Sequence, residues 1–156
     1  MKHNDGSFLQ DKLADALKWY CEYHPAYWHR FPDTKSARGN FIKAQPGDFF
    51  LLVPGVSILI ECKSTQASAR LLSLAWHGPV GKGQLGKHRL WLRSGHPSLY
   101  LYGDLVTGIF EWHSGNEVLN KKNRPLLSAS MQDLPTSISP LIEILRNKEP
   151  SDANAA

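Results

Sequence analysis

The chain has 156 residues, of which 42% are hydrophobic and 21% are charged, and these values are ordinary for one soluble globular domain. Its formal net charge of +4 is mildly basic, which is compatible with a polyanionic partner. The sequence has no signal-like N-terminus and no apolar run of membrane-spanning length, and its two cysteines lack a metal-ligand spacing. We therefore expect a cytoplasmic protein that is not membrane-bound.

The first half of the chain is predicted to form a helix, a short strand, a basic loop and a hairpin. The helix carries leucines at helical spacing and begins near Ser7, a suitable N-cap. The hairpin is predicted because two apolar runs flank the turn dipeptide Pro54-Gly55. In chain order, these elements cover residues 7–21, 26–31, 32–47 and 48–53/57–63.

The second half begins with a short apolar element whose type the pattern leaves open. A helix over 82–94 follows, with Leu85, Leu92 and His88 facing inward, then strands over 96–103 and 107–113 and a closing helix over 138–147. This α-βββ-α-ββ-α order predicts an α/β fold with a mixed central β-sheet flanked by helices. We expect one domain over residues 1–147 and a disordered tail over 148–156.

The hairpin brings two acids together. If its pairing is symmetric about Pro54-Gly55, Asp48 lies opposite Glu61, at a separation where like charges repel. Alternation then places Lys63 on the face of Glu61 and Cys62 on the apolar back. Two carboxylates and an ammonium at one sheet edge predict a site for a divalent metal and a water. A slip of one residue would move Asp48 to the other face.

A long acid-free stretch follows this hairpin. From Cys62 to Gly103 there is no Asp or Glu, although six basic residues fall there. They form either a solvated basic helix with its flanks or a surface for a phosphate backbone, and the adjacent metal candidate favours the second interpretation. Together with the basic loop, the candidate nucleic-acid contacts are Lys35, Arg38, Lys43, Lys82, Lys87, Arg89 and Arg93.

The acids and the lysine resemble the signature of the PD-(D/E)xK nuclease superfamily. Pro46-Gly47-Asp48 stands for the PD element with one inserted residue, and Glu61-Cys62-Lys63 stands for ExK. The gap of twelve residues between the acids is similar to that of Holliday-junction resolvases, and Thr65 continues an ExKxT pattern. Gln84 and His88 resemble polar helix positions that follow ExK, and the VRR-NUC domain is also similar. The resemblance covers roughly residues 6 to 112.

This resemblance implies a restriction-endonuclease-like core that cleaves branched DNA as a homodimer with Mg²⁺ or Mn²⁺. Asp48, Glu61 and the backbone carbonyl of Cys62 would hold the metal, Lys63 would orient the attacking water, and Gln84 would contact the substrate or support the site. Such resolvases carry a metal-binding glutamate on the first helix, where this chain has Gln10. Gln10, Asp11 beside it and the remoter Glu22 are all candidates, so the third ligand stays open.

Other interpretations fit the same residues. The acids and Lys63 would form only a surface ion pair if the strand end were exposed, and Gln84 would then be a solvated helix residue. His88 is expected to be a packed or surface histidine rather than a ligand. At the level of function, the alternatives are a VRR-NUC-type flap or nicking nuclease and a non-catalytic nucleic-acid-binding module on a degenerate nuclease fold, which Gln10 motivates.

Overall fold

The computed structural model describes residues 5–32, 45–67 and 69–148. In those residues one mixed sheet has six strands in chain order: β1 (Tyr27–Arg30), β2 (Phe49–Val53), β3 (Val56–Thr65), β4 (Ser98–Asp104), β5 (Ile109–Ser114) and β6 (Leu127–Ser130). The helices are α1 (Asp5–Tyr23), α2 (Leu71–Ala75), α3 (Gly78–Arg93), α4 (Gly115–Leu119) and α5 (Leu134–Asn147), and a 3₁₀ turn spans Met131–Asp133.

The sheet is antiparallel except at its centre, where β3 and β4 run parallel. Parallel neighbours need a crossover connection, and α2 with α3 supplies it. As a result α3 lies against the face of the sheet beside β4 and brings its side chains over β3.

Helices cover both faces of the sheet. One face packs against α1 and α5, with Leu13, Phe49, Ile60, Leu101 and Trp112 among the buried residues. The other face packs against α2, α3 and α4 and includes Leu71, Leu85, Tyr100, Tyr102 and Val118. Two apolar layers on a central sheet give the α/β architecture that the element order predicts.

The hairpin between β2 and β3 has the predicted register. Val53 pairs with Val56, and the ladder continues without a slip to Phe49 opposite Ile60. Gly55 in the turn has φ +81°, a conformation that glycine adopts without steric cost. Cys62 is buried with the α1 layer, whereas Glu61 lies beside Tyr100 on the other face, so the predicted alternation is confirmed.

The predicted class is confirmed, but the element order was incomplete. α2, α4 and β6 were not predicted as helix or strand, because four or five residues carry too little periodicity to identify an element. α3 begins at Gly78 rather than 82, with Pro79 in its first turn, where a missing N–H costs nothing.

The start of the last helix was also predicted wrongly. α5 begins at Leu134 rather than 138, so Pro140 lies inside the helix. Leu134, Ile138, Leu141 and Ile142 are buried along one side of this helix. That apolar face packs on α1, and tertiary burial outweighs the cost of an internal proline.

Two predictions fall on residues that the structure does not describe. Lys35, Arg38 and Lys43 of the basic loop predicted over 32–47 lie within 33–44, and the predicted tail lies outside the described residues apart from Lys148. Among the helices of residues 5–32, 45–67 and 69–148, none combines the length and the apolar character needed to cross a lipid bilayer.

Candidate metal centre

The candidate residues meet where β2 begins and β3 continues past it. Asp48 directly precedes β2, Glu61 and Lys63 lie on β3, and Gln84 reaches in from α3. Lys63 Nζ lies 2.9 Å from Glu61 Oε1 and donates a hydrogen bond of 2.7 Å to Gln84 Oε1. The local hairpin register and the crossover helix together therefore bring three parts of the chain to one place.

Both oxygens of the Asp48 carboxylate have donors. Oδ2 accepts a hydrogen bond of 2.8 Å from the backbone N–H of Cys62, and Oδ1 accepts one of 3.2 Å from Gln10 Nε2. The Asp48 backbone N–H donates to the Ile60 carbonyl at 3.0 Å. Because the N–H and C=O of a strand residue point to the same edge, the Cys62 carbonyl also faces the Asp48 side.

Glu61 is a buried acid with one unsatisfied oxygen. The residue is 1% exposed, and its Oε2 has no hydrogen-bond partner in the described part of the chain. Burial, and then the charge of Asp48, raise the pKa of Glu61 to about 8, although Lys63 acts in the opposite direction. The 2.9 Å contact has the geometry of a charged pair. Because the pKa of Glu61 is nevertheless raised, keeping this carboxyl ionised costs free energy unless a further cation compensates it.

More buried polar groups lie on the same face as Glu61. The Tyr100 hydroxyl, His88 Nε2 and His113 Nδ1 are buried without partners among the described residues. His88 Nδ1 is 2.6 Å from Ser98 Oγ, and burial followed by the Lys63 charge lowers the pKa of His88 to about 3. His88 is therefore a neutral, packed histidine, which is one of the two environments predicted for it.

The three candidates for a third ligand lie on α1, and two of them, Gln10 and Asp11, are tied to Arg30. Arg30 donates from Nη1 to Asp11 Oδ1 at 2.7 Å and from Nη2 to Gln10 Oε1 at 2.9 Å. The carbonyl of Gln10 thus faces Arg30, and only its amide nitrogen faces Asp48. Glu22 is exposed near the end of α1, twelve residues beyond Gln10.

The basic residues of α3 divide between two sides of the helix. Lys87 lies three residues from Gln84 on the side of the site, donates to the Gln45 carbonyl at 2.9 Å and lowers the pKa of Glu61 through its charge. Lys82, Arg89 and Arg93 are exposed and follow a second side at positions i, i+7 and i+11. Only Lys87 of this set is next to the candidate centre.

An aromatic cluster borders the site on β1 and β2. The rings of Tyr27, His29, Phe31 and Phe50 contact one another, with centroids 5.3–6.1 Å apart. Tyr27 is 59% exposed, and the backbone N–H of Phe31 donates to the Asp48 carbonyl at 2.8 Å. The exposed ring of Tyr27 thus lies on β1, and Phe31, the residue that follows β1, is hydrogen-bonded to Asp48.

A cavity of about 520 Å³ lies elsewhere, at the turn end of the hairpin. Its walls include Pro54, Val56, His96, Asn116 and Arg146, and it includes none of the candidate residues.

The donor set fits a hard divalent cation. Asp48 and Glu61 offer carboxylate oxygens, Cys62 offers a carbonyl oxygen, and the unsatisfied Glu61 Oε2 is a buried acceptor that an ion would satisfy. Groups of three or more His, Cys, Asp or Glu side chains suited to a metal do not occur within residues 5–32, 45–67 and 69–148. Among the described residues, the centre therefore has two carboxylates, Asp48 and Glu61, and backbone and water oxygens would have to complete a coordination shell.

Comparison with protein-family models gives no match, and no curated protein is significantly similar in sequence. What bears on function is the geometry of Asp48, Glu61, Lys63 and Gln84.

The sequence analysis did not single out Arg30 or Tyr100. Arg30 pairs with Phe49 and so ends β1 beside Asp48, and Tyr100 pairs with Glu61 across the parallel strands. Both lie in segments whose alternating or apolar pattern indicated strands only. The signal that could have identified Arg30 is a cation at a strand end, once β1 is paired with β2.

Proposed function

We propose that this protein is a metal-dependent DNA endonuclease with a restriction-endonuclease-like core, selective for branched DNA such as four-way junctions. The observation that carries the proposal is the buried Glu61 carboxyl, whose Oε2 has no partner in the described residues and which adjoins Asp48 and Lys63. A buried acid beside a second acid is costly unless a cation compensates it.

Asp48, Glu61 and the Cys62 carbonyl would hold one Mg²⁺ or Mn²⁺ ion. When bound, such an ion supplies a water of lowered pKa and positive charge at a phosphodiester. The Cys62 N–H and Gln10 fix the orientation of the Asp48 carboxylate, and Gln84 fixes Lys63. From this position the Lys63 ammonium donates to the attacking water or to the phosphate and offsets negative charge as it develops.

The surroundings of the centre support a nucleic-acid substrate. Lys87 adds positive charge on the α3 side, and the exposed rings of Tyr27 and His29 on β1 offer surfaces on which unpaired bases stack. A branch point presents phosphates from several strands, and a flap presents unpaired bases as well. A VRR-NUC-type enzyme acting on flaps or nicks would use the same groups, and the expectations of a homodimer and a cytoplasmic setting stay predictions.

A second candidate is a nucleic-acid-binding module without catalysis. It is favoured by one observation, namely that Gln10 and Arg30 occupy the α1 side of Asp48, where a third carboxylate would otherwise complete a metal site. Such a module would bind junction DNA tightly and leave it uncut in either metal.

The test is cleavage of synthetic four-way junctions, flaps and plain duplexes in Mg²⁺ or Mn²⁺. We expect junction cleavage by the wild type, and a loss of about 100-fold or more for Asp48→Asn and Glu61→Gln with binding unchanged. Glu143→Gln is the matched control, because Glu143 is exposed and pairs with Arg146 on α5. Tight binding by the wild type without cleavage of any substrate would favour the binding module instead.

A further inference from the structure

Four residues form a continuous chain of hydrogen bonds into the candidate centre. Asp11 accepts from Arg30 at 2.7 Å, Arg30 donates to Gln10 at 2.9 Å, and Gln10 donates to Asp48 at 3.2 Å. The chain joins α1, β1 and the residue before β2. The guanidinium also lies over the Phe49 ring, 5.7 Å from its centroid, which restricts its position further.

The two neighbours of Gln10 fix the orientation of its amide. Arg30 can only donate and ionised Asp48 can only accept, so Oε1 must face Arg30 and Nε2 must face Asp48. The oxygen is the only Gln10 side-chain atom that could bind a cation, and it is directed to the guanidinium. Asp11, the acid next to Gln10 on α1, is engaged by the same guanidinium and is therefore not an uncommitted carboxylate.

The charges near Asp48 point the same way. In the candidate centre, Lys63 contacts Glu61, and the charge of Lys87 also acts on Glu61. The charge of Arg30 acts on Cys62. One divalent ion would balance the two carboxylates. A second would lie beside a fixed guanidinium without a carboxylate of its own among the residues that the structure describes.

We infer that the centre binds a single divalent ion and that Arg30 takes the place of a second one, as a fixed positive charge positioned by Gln10 and Asp11. The Arg30 side chain is 35% exposed, so a phosphate bound at the ion can reach it. A guanidinium binds phosphate oxygens in a planar, often bidentate geometry. Gln10 acts through its neighbours and is a positioning residue. This inference depends on the proposed function.

The test counts Mn²⁺ ions per chain by titration, following the EPR signal of free Mn²⁺, on the whole protein without DNA. We expect one ion for the wild type, for Arg30→Gln and for Gln10→Glu, in which Arg30 engages the new carboxylate. The double variant Gln10→Glu/Arg30→Gln frees that carboxylate, and we expect it to bind two ions. Arg30→Gln should also cleave at least about tenfold more slowly.

Arg124→Gln is the matched control, since Arg124 pairs with Glu117 away from the centre. Two ions on the wild type, one ion on the double variant, or cleavage by Arg30→Gln at the wild-type rate would each overturn the inference and leave the nuclease proposal standing. No Mn²⁺ bound to the wild type would overturn both. The wild-type count needs no variant, so the inference stays testable even if a variant fails to fold.

Discussion

The carboxyl group of Glu61 lies where ionisation is costly. Burial and Asp48 raise its pKa to about 8, well above the ordinary 4.5 that the unfolded chain retains. Between these values the folded protein holds a proton that the unfolded chain has released. The stability that this group contributes is complete below about pH 4.5 and is lost as the pH rises through about 8.

We therefore expect Glu61→Gln to stabilise the metal-free protein at neutral and alkaline pH. Its advantage in free energy of unfolding should grow between pH 5 and 8 by at most about 1.4 kcal/mol per pH unit. Urea denaturation in EDTA measures it, with Glu143→Gln as control. Curves for wild type and Glu61→Gln that stay parallel across this range would contradict the raised pKa.

Added Mn²⁺ provides the complementary measurement on the same two proteins. An ion that binds the folded state through Glu61 stabilises the wild type and not Glu61→Gln. The two measurements together would show that the same residue lowers stability and binds the cation.

At the scale of elements, the close packing of the segment before β2 against β3 sets the position of Asp48. A Cβ atom on Gly47 would lie 3.1 Å from the Ile60 carbonyl oxygen and 3.1 Å from Leu59 Cδ1. The carbonyl belongs to the backbone of a central strand and cannot move easily. This explains why a glycine stands between Pro46 and Asp48.

Gly47→Ala should consequently displace Asp48. We expect Mn²⁺ affinity to fall about tenfold or more, with a loss of stability of roughly 1–2 kcal/mol. Gly83→Ala is the matched control: nothing lies within 4 Å of its Cβ position on α3, and alanine there should stabilise the helix by up to about 1 kcal/mol. Calorimetric titration and thermal unfolding measure both; unchanged Mn²⁺ affinity in Gly47→Ala would contradict the argument.

The elements differ in how far sequence could predict them. The hairpin was predictable down to its register, because two apolar runs and a Pro-Gly turn are local signals, and the proximity of Asp48 to Glu61 follows from that register. β6 was not predictable, because Leu127–Ser130 consists of one leucine followed only by serine and alanine. The bond from Gln10 to Asp48 joins residues 38 apart, and no local pattern encodes such a contact.

At the scale of the whole molecule, the distribution of charge matters more than its sum. The net charge of +4 is modest, but Lys87 is close to Glu61 while Lys82, Arg89 and Arg93 follow another side of α3. If the proposed DNA substrate contacts Lys87 as well as these three residues, it must contact α3 over more than one helical turn. The number of phosphates neutralised would report this, since each contributes about 0.9 to the salt dependence of binding to duplex DNA.

Lys87→Ala and Arg89→Ala should each weaken junction binding and lower the slope of log K against log salt by about one. Lys148→Ala is the control, because Lys148 lies beside Pro54 at the turn end of the hairpin. Fluorescence anisotropy at several salt concentrations gives the slopes. An unchanged slope in both α3 variants would remove this helix from the DNA surface.

The parallel pairing of β3 with β4 has a consequence for the order in which the protein folds. Antiparallel neighbours such as β2 and β3 are joined by a tight turn and can pair early, whereas the crossover from Thr65 to Ser98 must close a long loop first. Lys63 meets Gln84 only after that closure. The acids of the hairpin can thus come together before the crossover closes, whereas the lysine acquires its final position only after that closure.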